Sequence, residues 1–124
     1  MKITLDIPAA RIADLMVTAI ESGGSNYWCG GVELEVNEAT ALVSPWYSDP
    51  TLYEGAFLIV VLECDEETGK DKIHRCNQAA FAKGFVLMAE KHGSHFGDFM
   101  AENEDTITAD VFLQCIALGD VVYG

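Results

Sequence analysis

His74 and Cys76 are the two side chains in this sequence whose types and spacing could support nucleophilic chemistry. They lie in the segment KIHRC, which we predict to be a strand, and a spacing of two places both side chains on one face of a strand. A cysteine becomes a nucleophile when a histidine is held beside it and a carboxylate orients that histidine. No recognised catalytic motif surrounds this pair, so the sequence favours a protein without enzymatic activity, and we assign no catalytic residue.

A second group of side chains has the donor atoms that divalent metals bind in proteins. Gly93 and Gly97 interrupt the helix that would align these donors, which favours a solvated acidic turn over a metal site. The sequence also has no Walker loop, no GxGxxG and no HExxH motif. We therefore predict neither a metal nor a cofactor. The four side chains of this group are His92, His95, Asp98 and Glu102.

The segment ESGGSNYWCGG, residues 21–31, has residue types suited to binding. Its glycine pairs let the backbone turn sharply and let other groups approach it closely. Between them, Tyr27 and Trp28 offer large amphipathic rings, while Ser25 and Asn26 offer hydrogen bonds near the backbone. The alternative is that Trp28 plugs the end of the core and Asn26 bonds the turn. Exposure or burial of the two rings distinguishes these interpretations.

The composition is strongly acidic, with 20 Asp and Glu residues against 7 Lys and Arg residues and a net charge of −13. Nucleic acids and anionic membrane surfaces are bound by basic patches, so direct binding to either is disfavoured. An acidic surface suits a partner protein that is itself basic, and it equally suits plain solubility.

The length of 124 residues predicts a single domain, 1–124. The longest apolar run, AFLIVVL, is far too short to cross a bilayer, and the N-terminal residues do not resemble a signal peptide. We therefore expect a cytoplasmic protein, in which the four cysteines are reduced.

The hydrophobic pattern predicts an α+β fold, with an antiparallel sheet of about four to six strands and two to three helices packed on one face. Asn77 and Thr108 are the predicted caps of the second and third helices, and Gly119 is the predicted stop of the third. Strands are predicted at 2–7, 32–36, 41–43, 56–64, 72–76 and 120–123, helices at 8–22, 78–92 and 109–118, a short helix or turn at 95–103, and an ordered loop at 44–55.

Two stretches, DLMVTAIESGGSNYW and TADVFLQCIALGDVVYG, resemble small proteins carried by bacteriophages and prophages. In those proteins a helix runs into a Gly-Ser/Ile-Asn-Tyr-Trp turn, and a Gly-(Glu/Asp)-Val-Val-Tyr-Gly segment follows a later helix. The resemblance covers about a third of the chain and implies a phage accessory protein, without implying an activity. The matching positions are Gly24, Ser25, Asn26, Tyr27, Trp28, Gln114, Gly119, Asp120, Val121, Val122, Tyr123 and Gly124.

Because both stretches follow a helix, we expect the terminal segment to lie near the first loop, so that the two form one site. The favoured hypothesis is that the protein acts non-catalytically by binding a host protein with a basic surface, and a counter-defence role is one form of it. The alternatives are a binder of a small ligand or nucleotide signal that uses the loop 25–28, and a structural homodimer with no ligand. The predicted binding residues are Ser25, Asn26, Tyr27, Trp28, Trp46, Tyr47 and Tyr123.

Overall fold

The fold is α+β with an antiparallel sheet, as the sequence predicts. A computed structural model describes residues 6–39 and 41–124. In these residues five α-helices accompany one sheet of three strands, and a 3-10 helix, Trp46–Ser48, precedes the second α-helix. The elements are α1 (Ala9–Glu21), β1 (Cys29–Asn37), α2 (Pro50–Glu54), β2 (Phe57–Glu63), β3 (Lys72–Asn77), α3 (Gln78–Lys91), α4 (Gly93–Met100) and α5 (Thr106–Leu118). No helix of this described part has both the length and the apolar character needed to cross a bilayer.

The described residues form a sheet of three strands, which is fewer than the four to six predicted. The predicted strand at 2–7 lies largely outside the described residues, and residues 6–7 are not in a strand. Residues 41–43 form no strand either. The backbone N–H of Val43 donates to the Asp49 carboxylate at 2.9 Å, so it is not available to pair with a neighbouring strand.

The predicted terminal strand at 120–123 is also wrong. The backbone N–H groups of Val122 and Tyr123 both donate to the side-chain oxygen of Gln114, at 2.8 and 2.9 Å. A side chain therefore takes the place that a partner strand would have, and the segment stays irregular.

The described residues also contain more helices than the two to three predicted. The additional ones are α2, which lies within the predicted loop 44–55, and α4, which overlaps the short helix or turn predicted at 95–103. The sequence carries the start signal of α2, since Pro50 occupies its first turn and the Asp49 carboxylate accepts the Thr51 N–H at 3.0 Å. The predicted cap of α5 is wrong as well: Asp105 caps the helix, and its carboxylate accepts the Thr108 N–H at 2.9 Å.

Strand β2 is the central strand, as predicted, and pairs antiparallel with β1 and β3. Leu34 of β1 and Cys76 of β3 lie opposite Ile59 of β2, so the three side chains share one face of the sheet. That face belongs to the hydrophobic core, in which Ile59 and Cys76 are buried. Helices α3 and α5 both contact β3 on the edge of this sheet.

Helix α5 lies at the centre of the molecule, with nine consecutive residues, 108–116, buried. Burial on all sides is typical of a core helix. Its neighbour α3 approaches it closely at Gly84, where an added Cβ would lie 2.4 Å from Cγ2 and 3.1 Å from Cα of Ile116. A central helix packed this closely is a rigid support for the polar side chains that it carries.

Candidate functional site

The loop between α1 and β1 packs against the start of α5. Helix α1 ends at Glu21, and Gly23 then adopts a left-handed conformation with φ +79°, which reverses the chain. Gly24 lies against Thr106, whose Cγ2 would be only 2.0 Å from a Cβ added at Gly24. A side chain at Gly24 would therefore push the loop away from the helix, so the glycine pair permits the approach.

Asp110 of α5 is a buried carboxylate, 8% exposed, that gathers the loop around it. Its Oδ1 accepts hydrogen bonds from the Ser25 hydroxyl at 2.7 Å and from the Trp28 Nε1–H at 2.8 Å. Its Oδ2 accepts from the Tyr27 hydroxyl at 2.6 Å and from the Gln114 Nε2 at 3.0 Å. Four donors satisfy the carboxylate, and such satisfaction is what makes a buried charge tolerable.

Gln114 lies one helical turn after Asp110 and holds residues 120–124, the DVVYG segment, against α5. It is 0% exposed. Its Oε1 accepts the N–H groups of Val122 and Tyr123, and its Nε2 donates to the Tyr123 carbonyl at 3.2 Å. The side-chain amide thus pairs with the backbone of Tyr123 through both its donor and its acceptor.

Tyr123 covers Trp28 with its ring. The two rings are stacked, with 5.9 Å between centroids and 7° between planes, and Trp28 is 1% exposed. The Tyr123 hydroxyl donates to Oε2 of Glu63 at the end of β2, and Oε1 of Glu63 lies 2.8 Å from Nε2 of His74. The expected meeting of the first loop and the last residues is therefore observed, and it extends to the sheet.

These hydrogen bonds shift the ionisation of the groups involved. Partial burial, together with the hydrogen bond to Asp110, raises the pKa of Tyr27 to about 12. The hydrogen bond to Glu63 raises the pKa of Tyr123, and the same bond, with that of His74, lowers the pKa of Glu63. At neutral pH the two tyrosines are therefore donors and Glu63 is an anion.

Two cavities flank Tyr27, whose residue surface is 55% exposed. One, of about 420 Å³, we call the imidazole cavity; Tyr27, His92, His95, Asp110, Gln114 and Tyr123 are among the residues that line it. The other, of about 490 Å³, we call the acidic cavity. It is lined by Tyr27, Trp28 and Tyr123, by the carboxylates Glu63, Asp65, Glu66 and Glu67, and by Cys64 and Lys72.

The structure brings together four of the predicted binding residues, namely Ser25, Tyr27, Trp28 and Tyr123. Asn26 lies in the same loop with an exposed side chain. The predicted residues Trp46 and Tyr47 lie elsewhere, on the 3-10 helix, where their rings pack edge to face. The Tyr47 hydroxyl donates to Glu21 at 2.8 Å, and neither residue lines the two cavities beside Tyr27 in the part of the chain that the structure describes.

Sequence reasoning missed three residues as members of the site: Asp110, Gln114 and Glu63. The first two did leave a signal, because they are the only strongly polar side chains in the apolar run ADVFLQCIAL and are spaced by four. Polar residues at that spacing lie on one face of a helix, and polar side chains in a buried helix need partners. Glu63 left no such signal, since it ends a strand beside an acidic turn.

The residues considered for catalysis and for metal binding do not combine into one reactive or metal-binding group in the described part of the chain. Burial raises the pKa of the Cys76 thiol to about 11, and its Sγ donates to the Ile116 carbonyl, so the thiolate is disfavoured. His92 pairs with Asp120, and His95 Nδ1 lies 3.0 Å from the Thr108 hydroxyl. Across residues 6–39 and 41–124, no three His, Cys, Asp or Glu side chains converge as metal ligands would.

The site places the rings of Tyr27 and Tyr123 beside carboxylates. The hydrogen-bonded network around Asp110 lies beneath these rings and holds the loop in place. Such a combination can receive a cationic side chain, because the ring faces and the carboxylates both attract positive charge. Comparison with known protein families, with curated proteins and with solved structures finds no match for this chain.

Proposed function

We propose that this chain is a non-catalytic accessory protein of a bacteriophage or prophage, and that it binds a basic segment of a host protein. The contact region is the acidic cavity together with the exposed ring of Tyr27 at its edge. The observation that carries the proposal is the composition of this cavity, in which the exposed ring of Tyr27 and the partly exposed ring of Tyr123 lie beside four carboxylates. Arginine and lysine side chains are recognised by these two kinds of group.

Two carboxylates of the acidic cavity, those of Glu63 and Asp65, are held in place by hydrogen bonds. Glu66 and Glu67 are exposed in the turn between β2 and β3, and the Asp65 carboxylate accepts the Glu67 N–H at 3.0 Å, which orders that turn. This bond lowers the pKa of Asp65, and the hydrogen bond from Tyr123 lowers that of Glu63. An ordered anionic surface binds with less conformational entropy loss than a flexible one.

The alternative of a nucleotide signal bound by the loop 25–28 has less support. Ser25 and Trp28 are buried, and both donate to Asp110. Tyr123 covers the face of the indole on which a base would stack. The four carboxylates of the neighbouring cavity would also repel a phosphate.

The proposal is tested by capture of proteins from a bacterial lysate on the immobilised chain at low and at moderate salt. Two variants change the site: Tyr27→Ala, and the double variant Glu66→Gln/Glu67→Gln. We expect a basic partner that the native chain retains, with retention at least about fivefold weaker in each variant, since each contact removed contributes ~1 kcal/mol or more. Retention should also weaken as salt rises, because the pairing is electrostatic.

A matched control removes two carboxylates from another part of the surface. Glu54 and Glu90 are exposed on α2 and α3, and neither lines the acidic cavity. The variant Glu54→Gln/Glu90→Gln has the same net charge as the site variant and should retain the partner like the native chain. Equal loss in both double variants would show a non-specific charge effect, and the absence of any partner at both salt concentrations would contradict the proposal.

A further inference from the structure

The DVVYG segment is bound to the rest of the chain in the way that a short peptide is bound by a receptor. In the described part of the chain, the hydrogen bonds of residues 121–124 all have a side chain at one end. Those that reach beyond the segment go to Gln114, which pairs with its backbone, and to Glu63, which accepts the tyrosine hydroxyl. Together with the indole of Trp28, these two side chains form what we call the receptor groove.

The receptor groove recognises features that any copy of the segment carries. Gln114 contacts a backbone N–H and C=O, Trp28 contacts a ring face, and Glu63 contacts a phenol hydroxyl. None of these contacts depends on the covalent connection between α5 and the segment. A segment of the same sequence from another molecule would meet the same donors, acceptors and ring.

The segment has its own charged anchor outside the receptor groove. Asp120 lies 3.4 Å from Nζ of Lys91 and 3.3 Å from Nε2 of His92, at the end of α3. In a chain of net charge −13, the Lys91 ammonium offers a rare point of charge complementarity to an incoming aspartate, and His92 adds a ring nitrogen within hydrogen-bond reach. The segment can also leave α5 in another direction, because the connecting residue Gly119 is exposed and a glycine adopts many backbone conformations. In the structure it forms the left-handed turn, φ +76°, that ends the helix.

We propose that the receptor groove accepts the DVVYG segment of a second copy of the chain in place of its own, so that two copies exchange this segment. The exchanged dimer contains the contacts of the monomer, with the partner contributing Tyr123 to the site. The intramolecular arrangement prevails in dilute protein because a short tether gives an effective concentration of the order of millimolar. Repulsion between two acidic chains also opposes the dimer, so added salt favours it.

The first test removes the intramolecular alternative. Deletion of Leu118 and Gly119 removes the left-handed turn and shortens the connection between α5 and the segment by about 7 Å, so we expect Tyr123 to fall short of the groove of its own chain while the whole DVVYG segment, with Asp120, is kept. In a Trp46→Phe background, where Trp28 is the reporter, we expect a dimer by light scattering with Trp28 still shielded from acrylamide. The same shortened chain with Tyr123→Ala should be monomeric, with its indole open to the quencher.

The second test uses the full-length chain with Tyr123→Ala, again with Trp46→Phe. A synthetic acetylated DVVYG peptide should restore the shielding of Trp28 in a saturable manner, and a DVVAG peptide should bind at least tenfold more weakly. A folded shortened chain that stays monomeric, or a folded Tyr123→Ala chain on which the DVVYG peptide has no effect, overturns the proposal. If the shortened chain does not fold, the peptide titration decides alone.

Discussion

The indole of Trp28 and the phenol of Tyr123 lie parallel, with 5.9 Å between ring centroids and 7° between their planes. Trp28 follows the first helix of the described fold and Tyr123 follows the last, so this contact joins the loop after α1 to the segment after α5. The burial of Trp28 at 1% exposure therefore depends on a segment with no regular secondary structure. This dependence can be measured directly.

The environment of Trp28 should report on the position of Tyr123. In a Trp46→Phe background, we expect emission at short wavelength and poor accessibility to acrylamide, because the remaining indole is buried. Tyr123→Ala should shift the emission to longer wavelength and raise the quenching constant. Val122→Ala is the matched control, since Val122 is exposed at the neighbouring position and its truncation should leave the spectrum unchanged. An unchanged spectrum in Tyr123→Ala would contradict the stacking.

Asp110→Asn should lower the free energy of unfolding by about 2–4 kcal/mol, because it leaves a buried donor unpaired. Oδ1 of Asp110 accepts a hydrogen bond from the Trp28 indole N–H, which can only donate, and Oδ2 accepts one from the Gln114 Nε2. The Gln114 amide is held in this orientation because its Oε1 accepts the backbone N–H groups of Val122 and Tyr123. In either orientation the new amide group therefore places N–H against N–H. Urea denaturation measures the effect.

The control for that substitution is Asp98→Asn, the same chemical change on the exposed surface of α4. Its free energy of unfolding should stay within about 0.5 kcal/mol of the native value. A loss of similar size in both variants would mean that the hydrogen bonds to Asp110 add nothing to the free energy of unfolding beyond the loss of one negative charge.

The elements that the sequence predicted correctly are those whose signals are local. Helices α1 and α3 and strands β2 and β3 follow their apolar periodicity, and Gly119 stops α5 by its own backbone conformation. The elements that failed are those decided by distant side chains. Residues 41–43 and 120–123 have a strand-like composition, but Asp49 and Gln114 bind their N–H groups instead.

The candidate site could be predicted in part for the same reason. The rings of Tyr27, Trp28 and Tyr123 stand out by residue type, and their position after helices suggested that they meet. Their roles depend on Asp110, which the sequence marks only as a polar residue, one helical turn before Gln114, in an otherwise apolar helix. No local pattern could show that this one carboxylate makes Trp28 a buried residue and leaves Tyr27 exposed.

The close approach of α3 and α5 predicts opposite effects for two glycine substitutions. Gly84→Ala should lower the free energy of unfolding by about 1–3 kcal/mol, because the new Cβ would meet the backbone of Ile116 at 3.1 Å and force the helices apart. Gly97→Ala should raise it by about 0.5–1 kcal/mol, since Gly97 lies within α4 with nothing inside 4 Å of an added Cβ. Thermal denaturation of both variants distinguishes packing from helix propensity. Equal shifts in Tm would argue against the close packing.

The ionisation of Glu63 should make the stability of this protein depend on pH in the acid range. The hydrogen bonds from Tyr123 and His74 lower its pKa in the folded chain below the ordinary value of 4.5. A lowered folded pKa means that the ionised group stabilises the fold above the ordinary pKa, and that this stabilisation is lost as the pH falls through the lowered value. Glu63→Gln keeps the size of the side chain and removes its ionisation.

We therefore expect the difference in free energy of unfolding between the native chain and Glu63→Gln to be constant above about pH 6 and to shrink as the pH falls below the ordinary pKa of 4.5. Tyr123→Phe should reduce the pH dependence of the native chain in the same range, because it removes the hydroxyl that donates to Glu63 while it keeps the ring on Trp28. Urea denaturation at a series of pH values measures both effects. A difference between the native chain and Glu63→Gln that stays constant down to about pH 3 would show that the pKa of Glu63 is not lowered in the folded chain. The hydrogen bond from Tyr123 would then not favour the ionised form of Glu63 over the protonated form.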